Sequence, residues 1–183
     1  YNGIKQYNRN QLLWRDETVD GLKTGHTQSA GYCLAASANR DGQRLISVVL
    51  GSPSEKARSS ATQALLNYGF RFFTTHQIYE AGQPLTETRV WKGESKELPL
   101  GLESPLYVTV PKGRYEDLNA TMIVTPVIEA PVSQGSQLGN VKVELDGETV
   151  ADVPLIALDE VAAGGFVSRM SDNAILLFNS FFE

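Results

Sequence analysis

Short apolar runs separated by turn clusters make up the first seventy positions of this chain, and they read as mixed α/β. Leu22 to Thr24 is a short extended segment with glycine on both sides. Tyr32 to Ala38 is apolar and compact, a buried strand by its length and flanks. Asn39-Arg40-Asp41-Gly42 is a turn cluster, and Leu45-Ile46-Ser47-Val48-Val49-Leu50 is a second buried strand rich in β-branched residues. Two such runs joined by a short Asp-Gly loop predict an antiparallel hairpin. A helix is predicted next. Ser52-Pro53-Ser54-Glu55 offers a cap serine, a proline at the first helical position and a glutamate at the third. Ala57, Ala61, Ala64, Leu65 and Tyr68 recur at helical spacing, Gly69 closes the run, and this face is expected to pack on the hairpin.

The pattern changes near Phe73-Thr74-Thr75. From there to about Leu158 it shows short alternating strands, among them Thr86 to Trp91, Leu106 to Val110, Thr121 to Val127 and Val141 to Leu145. Asp146-Gly147 between Val141–Leu145 and Glu148–Val150 is a strong two-residue hairpin signal. Prolines 84, 99, 105, 111, 126, 131 and 154 punctuate the strands, and no long helix is visible. This predicts a small all-β sandwich or barrel-like domain. In the tail, Met170, Ala174, Ile175, Leu177, Phe178, Phe181 and Phe182 fall mostly on one helical face, and Ser171, Asp172, Asn173, Asn179 and Ser180 take the other. Ser168 or Ser171 is the expected cap. The expected fold class is α/β plus all-β: residues 1–73 mixed, 74–167 β-rich, and 168–183 an amphipathic helix.

Composition narrows the function classes. The chain has 183 residues and a formal net charge of −5. It carries no basic block, which argues against nucleic acid as a partner. Cys33 is alone, so no intrachain disulfide forms and structural zinc is not expected. No apolar run is long enough to span a bilayer, and no signal peptide opens the chain. Tyr1 reads as mid-domain sequence, and a missing upstream segment would explain the lack of an export signal.

Candidate chemistry centres on Lys23-Thr24-Gly25, within Val19-Asp20-Gly21-Leu22-Lys23-Thr24-Gly25-His26-Thr27. The bare tripeptide is a weak signal that by itself reads more readily as a solvated lysine on an edge strand. Its setting, a short strand followed by a two-strand hairpin and a helix, strengthens it. A serine acyl-transferase acting on a peptide needs a positive charge and a hydroxyl beside its cleft, with backbone donors for the developing oxyanion. Alternation along a strand turns Lys23 and Gly25 the same way, so the cation enters the cleft while glycine leaves room for substrate backbone. A free substrate carboxylate would pair with Lys23 or Arg58 and hydrogen-bond to Thr24.

These residues, together with Ala30-Gly31-Tyr32, Arg44-Leu45-Ile46-Ser47-Val48-Val49-Leu50-Gly51, Tyr68-Gly69-Phe70-Arg71-Phe72-Phe73, Val90-Trp91, Leu145-Asp146-Gly147 and Pro154-Leu155, closely resemble the low-molecular-mass penicillin-binding proteins. These are serine-type D-alanyl-D-alanine carboxypeptidases, and Lys-Thr-Gly is the third signature of the penicillin-recognising acyl-transferases. The resemblance covers essentially the whole chain. It implies the C-terminal part of a transpeptidase-like (β-lactamase-like) domain, then a small β-sandwich domain and an amphipathic helix. It also implies a peptidoglycan stem peptide ending in D-Ala-D-Ala as substrate, β-lactam antibiotics as inhibitors, and a periplasmic enzyme held peripherally on the inner membrane by the C-terminal helix. It implies no metal or organic cofactor. Because Phe166 to Glu183 carries a single cation, Arg169, against Asp172 and Glu183, a truncated anchor or a helix docked on a neighbour stands beside the membrane contact. Lys23 and His26 would be catalytic, Lys23 as the active-site cation and His26 through its backbone N–H in the oxyanion hole. Lys23, Thr24, Gly25 and Arg58 would bind substrate.

The other two signatures depart from the family pattern. No lysine has a serine three residues before it, so the Ser-x-x-Lys nucleophile box is missing. Ser37-Ala38-Asn39 and Ser171-Asp172-Asn173 match Ser-x-Asn, but both follow Lys-Thr-Gly, the reverse of the family order, and both are rejected. The serine is expected in an N-terminal portion of the same protein, and this segment alone is expected to be inactive. A β-lactamase, a transpeptidase or a non-enzymatic β-domain interaction module are the alternatives. Of the remaining residues, Cys33 is expected to be buried, Trp14 and Trp91 to be packing anchors, His76 to lie at the domain junction, and Asp20 to stabilise a turn before Gly21.

Overall fold

The computed structural model of the chain describes residues 2–179, so Phe181 and Phe182 of the expected tail helix lie outside the described residues. The chain divides into two compact units: residues 1–75 with 110–112, and residues 76–109 with 113–183.

The first unit contains a short helix α1 (Leu12–Arg15), then β1 (Val19–Thr27), β2 (Gly31–Arg40), β3 (Gln43–Ser52) and helix α2 (Glu55–Phe72). The three strands form an antiparallel sheet in sequence order. Both strands of the predicted hairpin form, each longer than its apolar run. Asp41 (φ 51°) and Gly42 (φ 83°) turn it between Arg40 and Gln43 with the left-handed backbone of a two-residue hairpin loop. Residues directly opposite one another share a face. Leu34 lies between Thr24 and Val49, Ala36 between Leu22 and Ser47, and Ala38 between Val19 and Leu45. Leu34, Ala36 and Ala38 are buried against Leu12, Val19, Leu66 and Phe70, which makes this the core face.

The expectation for α2 is corrected in three ways. Ser54, not Ser52, is the N-cap: its Oγ accepts from the Ala57 N–H at 3.1 Å, while Ser52 ends β3. The helix continues through Gly69 to Phe72. Its inward face is Arg58, Ser59, Thr62, Leu66 and Phe70, not the predicted stripe, of which Leu65 and Tyr68 are exposed. Apolar spacing misled because the buried stripe is largely polar in its first two turns.

The rest of the chain is β-rich. β4 (Phe73–Tyr79) pairs with β7 (Leu106–Pro111), and the boundary between the units falls within both strands. β5 (Thr86–Trp91), β6 (Glu97–Gly101), β8 (Leu118–Val124), β9 (Ile128–Glu129), β10 (Gln137–Leu145) and β11 (Glu148–Ala157) form a six-stranded sheet in the order β8-β10-β11-β6-β5-β9. Asp146 (φ 54°) and Gly147 (φ 82°) turn β10 into β11, with Leu145 opposite Glu148, as their dipeptide predicts. The prolines do not all punctuate. Pro99 and Pro154 lie inside β6 and β11, and the Pro99 carbonyl still accepts from the Leu158 N–H at 3.0 Å.

Helix α3 (Phe166–Asn179) begins before both serines expected to cap it. Two single-residue expectations also fail. Cys33 is only half-buried, its thiol donating to the Ala30 carbonyl at 3.4 Å. Trp14 is 67% exposed, touching Tyr7 edge-on.

Candidate active site

The Lys-Thr-Gly segment occupies β1, the edge strand of its sheet. Lys23 lies opposite Ala35, which lies opposite Val48; Gly25 lies opposite Cys33; Ser37 lies opposite Ile46. These residues share the face turned away from the core, and Lys23 and Gly25 stand on it together, as alternation requires. The β3 part of that face is apolar and, among the described residues, uncovered: Ile46, Val48 and Leu50, at alternate positions of β3, are 65%, 59% and 73% exposed. A contiguous apolar patch beside an unpaired strand edge marks a surface made to be covered.

The Lys23 ammonium is exposed and donates to the Thr24 carbonyl at 2.9 Å. Thr24 itself is half-buried, on the core side of the strand opposite Leu34. His26 is exposed, with its ring against that of Tyr32 opposite it, centroids 4.0 Å apart. The Lys-Thr-Gly motif does not reveal this contact, and only the register of Tyr32 with His26 points to it.

Arg58 is placed differently from the other four. It sits in the first turn of α2 and is 2% exposed. Its guanidinium donates to the Arg9 carbonyl at 3.2 Å and the Glu55 carboxylate at 3.3 Å, with a longer contact to the Gly25 carbonyl at 3.5 Å. It lies over the Tyr32 ring at 5.6 Å, and its Nε is buried without a hydrogen-bond partner. A buried cation is costly unless it is paired, and Glu55 is its carboxylate partner. Arg58 therefore braces the Lys-Thr-Gly strand at the Gly25 carbonyl.

The front of β1 is braced by Asn10, which sequence reasoning missed. It is buried, its Nδ2 donates to the Gly21 carbonyl at 3.1 Å, and its Oδ1 accepts from the Leu12 N–H at 3.1 Å. An asparagine two residues before the apolar pair Leu12-Leu13 was the available signal, since such side chains bond the backbone two positions on. Asp20 does not close a turn. β1 runs through it, and its carboxylate pairs with Arg44 at 2.8 Å. Arg44 also bonds the Ser37 hydroxyl, which ties one rejected Ser-x-Asn match into a structural ion pair. Asp172 of the other rejected match lies on α3 in the second unit.

Comparison with known proteins adds an independent line. The family described as D-alanyl-D-alanine carboxypeptidase matches residues 1–54, and the family described as penicillin-binding protein 5, C-terminal domain, matches residues 73–163. D-alanyl-D-alanine carboxypeptidase DacA of Escherichia coli strain K12 is 40% identical over 184 residues, covering all of this chain and 46% of that protein. Penicillin-binding protein 5 from Haemophilus influenzae superposes with a TM-score of 0.81 at 40% identity, over 88% of this chain and 48% of that one. The carboxypeptidase DacD from Francisella tularensis gives 0.59 at 35% identity, over 86% and 40%. The chain thus spans about half the length of the relatives it matches. Its β-rich fold, its Lys-Thr-Gly edge strand and these matches agree, and the chain belongs to the D-alanyl-D-alanine carboxypeptidase family of penicillin-binding proteins.

Proposed function

We propose that this chain is the C-terminal portion of a serine-type D-Ala-D-Ala carboxypeptidase, and that a segment outside it supplies the nucleophilic serine, its Ser-x-x-Lys lysine and the Ser-x-Asn box. In this reading residues 1–73 are the C-terminal part of a transpeptidase-like domain and residues 74–167 a second, β-rich domain. The observation that carries the reading is a Lys-Thr-Gly motif on an unpaired edge strand, next to an uncovered apolar sheet face. Covering Ile46, Val48 and Leu50 would contribute about 1.5–3 kcal/mol for each side chain fully buried. The same docking would bring a serine to the β1 edge.

Each residue then has a role. The stem peptide lies along β1, with its backbone close to Gly25, where no side chain intervenes. Lys23, freed from the Thr24 carbonyl, pairs with the terminal carboxylate, and Thr24 hydrogen-bonds to substrate from the rim of the strand. The serine attacks the penultimate carbonyl, and the His26 N–H donates to the oxyanion. D-alanine leaves, and water then hydrolyses the acyl-serine to free the enzyme. Arg58 acts from behind the strand, adding positive charge and holding Gly25 in place. A β-lactam enters by the same acylation.

The enzyme is periplasmic and peripheral on the inner membrane, with the apolar side of α3 against lipid; Phe166 and Met170 are exposed on that side. The test uses the protein with its upstream segment. Lys23→Ala should slow acylation by a fluorescent penicillin by about a hundredfold or more, the scale of losing one charge aimed at the reacting group. An unchanged acylation rate would remove Lys23 from the site. Rapid deacylation of the penicilloyl-enzyme would favour a β-lactamase instead.

A further inference from the structure

Helix α3 docks on its own β-rich unit by its polar side. Ser168 and Asp172, one turn apart, meet the turn Lys92–Lys96 that follows β5. The Asp172 side chain is 2% exposed. It accepts from the Lys92 backbone N–H at 2.7 Å and the Lys96 ammonium at 2.8 Å, and the Arg89 guanidinium lies 3.5 Å away. The Ser168 hydroxyl donates to the Gly93 carbonyl at 3.4 Å. The segment leading into the helix grips the same turn from its other side: the Gly164 N–H donates to the Lys92 carbonyl at 2.7 Å and the Glu94 N–H to the Ala162 carbonyl at 3.0 Å. A side chain at Gly164 would meet the Gly93 carbonyl oxygen at 2.6 Å, so only glycine permits this approach. Lys92 is held in the left-handed region (φ 60°), a cost for a lysine that these bonds offset.

Two large apolar side chains of the helix stay outside this contact: Phe166 and Met170 are 79% and 61% exposed. Apolar burial, the usual force that seats a helix, contributes little at these positions, and one buried carboxylate with two donors and the Arg89 charge nearby takes its place.

We propose that Asp172 is a latch that locks α3 to the Lys92–Lys96 turn and fixes which way its apolar side points. Tail and β-rich unit then move as one rigid piece. The latch is a positioning device, and it stands whether or not the outward side meets lipid.

Amide hydrogen exchange on the full chain tests it, comparing Asp172→Asn and Lys96→Gln with the parent. Asp172→Asn should speed exchange over residues 168–176 by about tenfold or more, and Lys96→Gln by less, while β10 stays protected. Exchange within about twofold of the parent in Asp172→Asn, or a parent helix already unprotected, would overturn the latch. If Asp172→Asn also loosens β10, Lys96→Gln decides: faster exchange confined to α3 supports the latch, and none overturns it. Flotation with phosphatidylethanolamine–phosphatidylglycerol vesicles is read separately. Failure to float with the exchange pattern intact sinks the lipid reading alone.

Discussion

Asp16 illustrates how one carboxylate can organise the start of a domain. Its side chain is 13% exposed and pairs with Arg40 at 2.8 Å, while Thr18 and Gln63 donate to it as well. Burial by itself would raise its pKa, but the bonds from Thr18, Gln63 and Arg40 together bring it to about 2, below its ordinary 3.8. A depressed folded-state value means that its stabilising contribution is complete above the unfolded value and is lost as pH falls from 3.8 through about 2. Asp16→Asn should therefore cost about 1–3 kcal/mol in urea unfolding at pH 7, and the gap to the parent should close near pH 2. A gap that persists unchanged at pH 2 would contradict this account. At the same scale, Lys23, Thr24, Gly25 and His26 stand out in the sequence as one motif, and the structure places them together on β1. Asn10 and Tyr32 do not stand out, since their partners Gly21 and His26 are set by strand register rather than by motif.

At the scale of elements, the hairpin turns were legible because Asp-Gly at Asp41-Gly42 and Asp146-Gly147 permits positive φ at both positions, with few competing conformations. Helix α2 was legible in existence but not in orientation. Its buried side begins with Arg58, Ser59 and Thr62, while the apolar periodicity falls on the alanines, Leu65 and Tyr68 of the other side. Its cap was misplaced for a related reason: Ser52 and Ser54 flank Pro53, and only the register of β3 decides that Ser52 still belongs to the sheet. Ser54→Ala should lower stability by about 1 kcal/mol in chemical denaturation, the usual cost of an N-cap hydroxyl, and no loss would mean that the Ser54–Ala57 bond does not hold the helix end. Helix α3 was expected to show polar and apolar sides, and docking was one reading of it, but the turn that receives it was not legible, because Lys96 and Asp172 lie 76 positions apart.

At the scale of the whole molecule, the uncovered face of the β1–β3 sheet sets this chain apart from a closed domain. Val48→Lys should leave the stability of the isolated chain within about 0.5 kcal/mol of the parent, as substitutions at exposed positions usually do. In the protein with its upstream segment, the same substitution should destabilise by about 3 kcal/mol or more, because a cation would be buried unpaired. Equal effects in both settings would mean that nothing covers that face.

In the proposed reading Lys23-Thr24-Gly25 is half of an acyl-transferase site whose serine lies elsewhere in the protein. Intact-mass analysis after incubation with a penicillin measures this directly. The 183-residue chain alone should gain no adduct, while the protein carrying the upstream segment should gain one penicilloyl group on a serine outside this chain. A stoichiometric penicilloyl adduct on the 183-residue chain by itself would contradict the account.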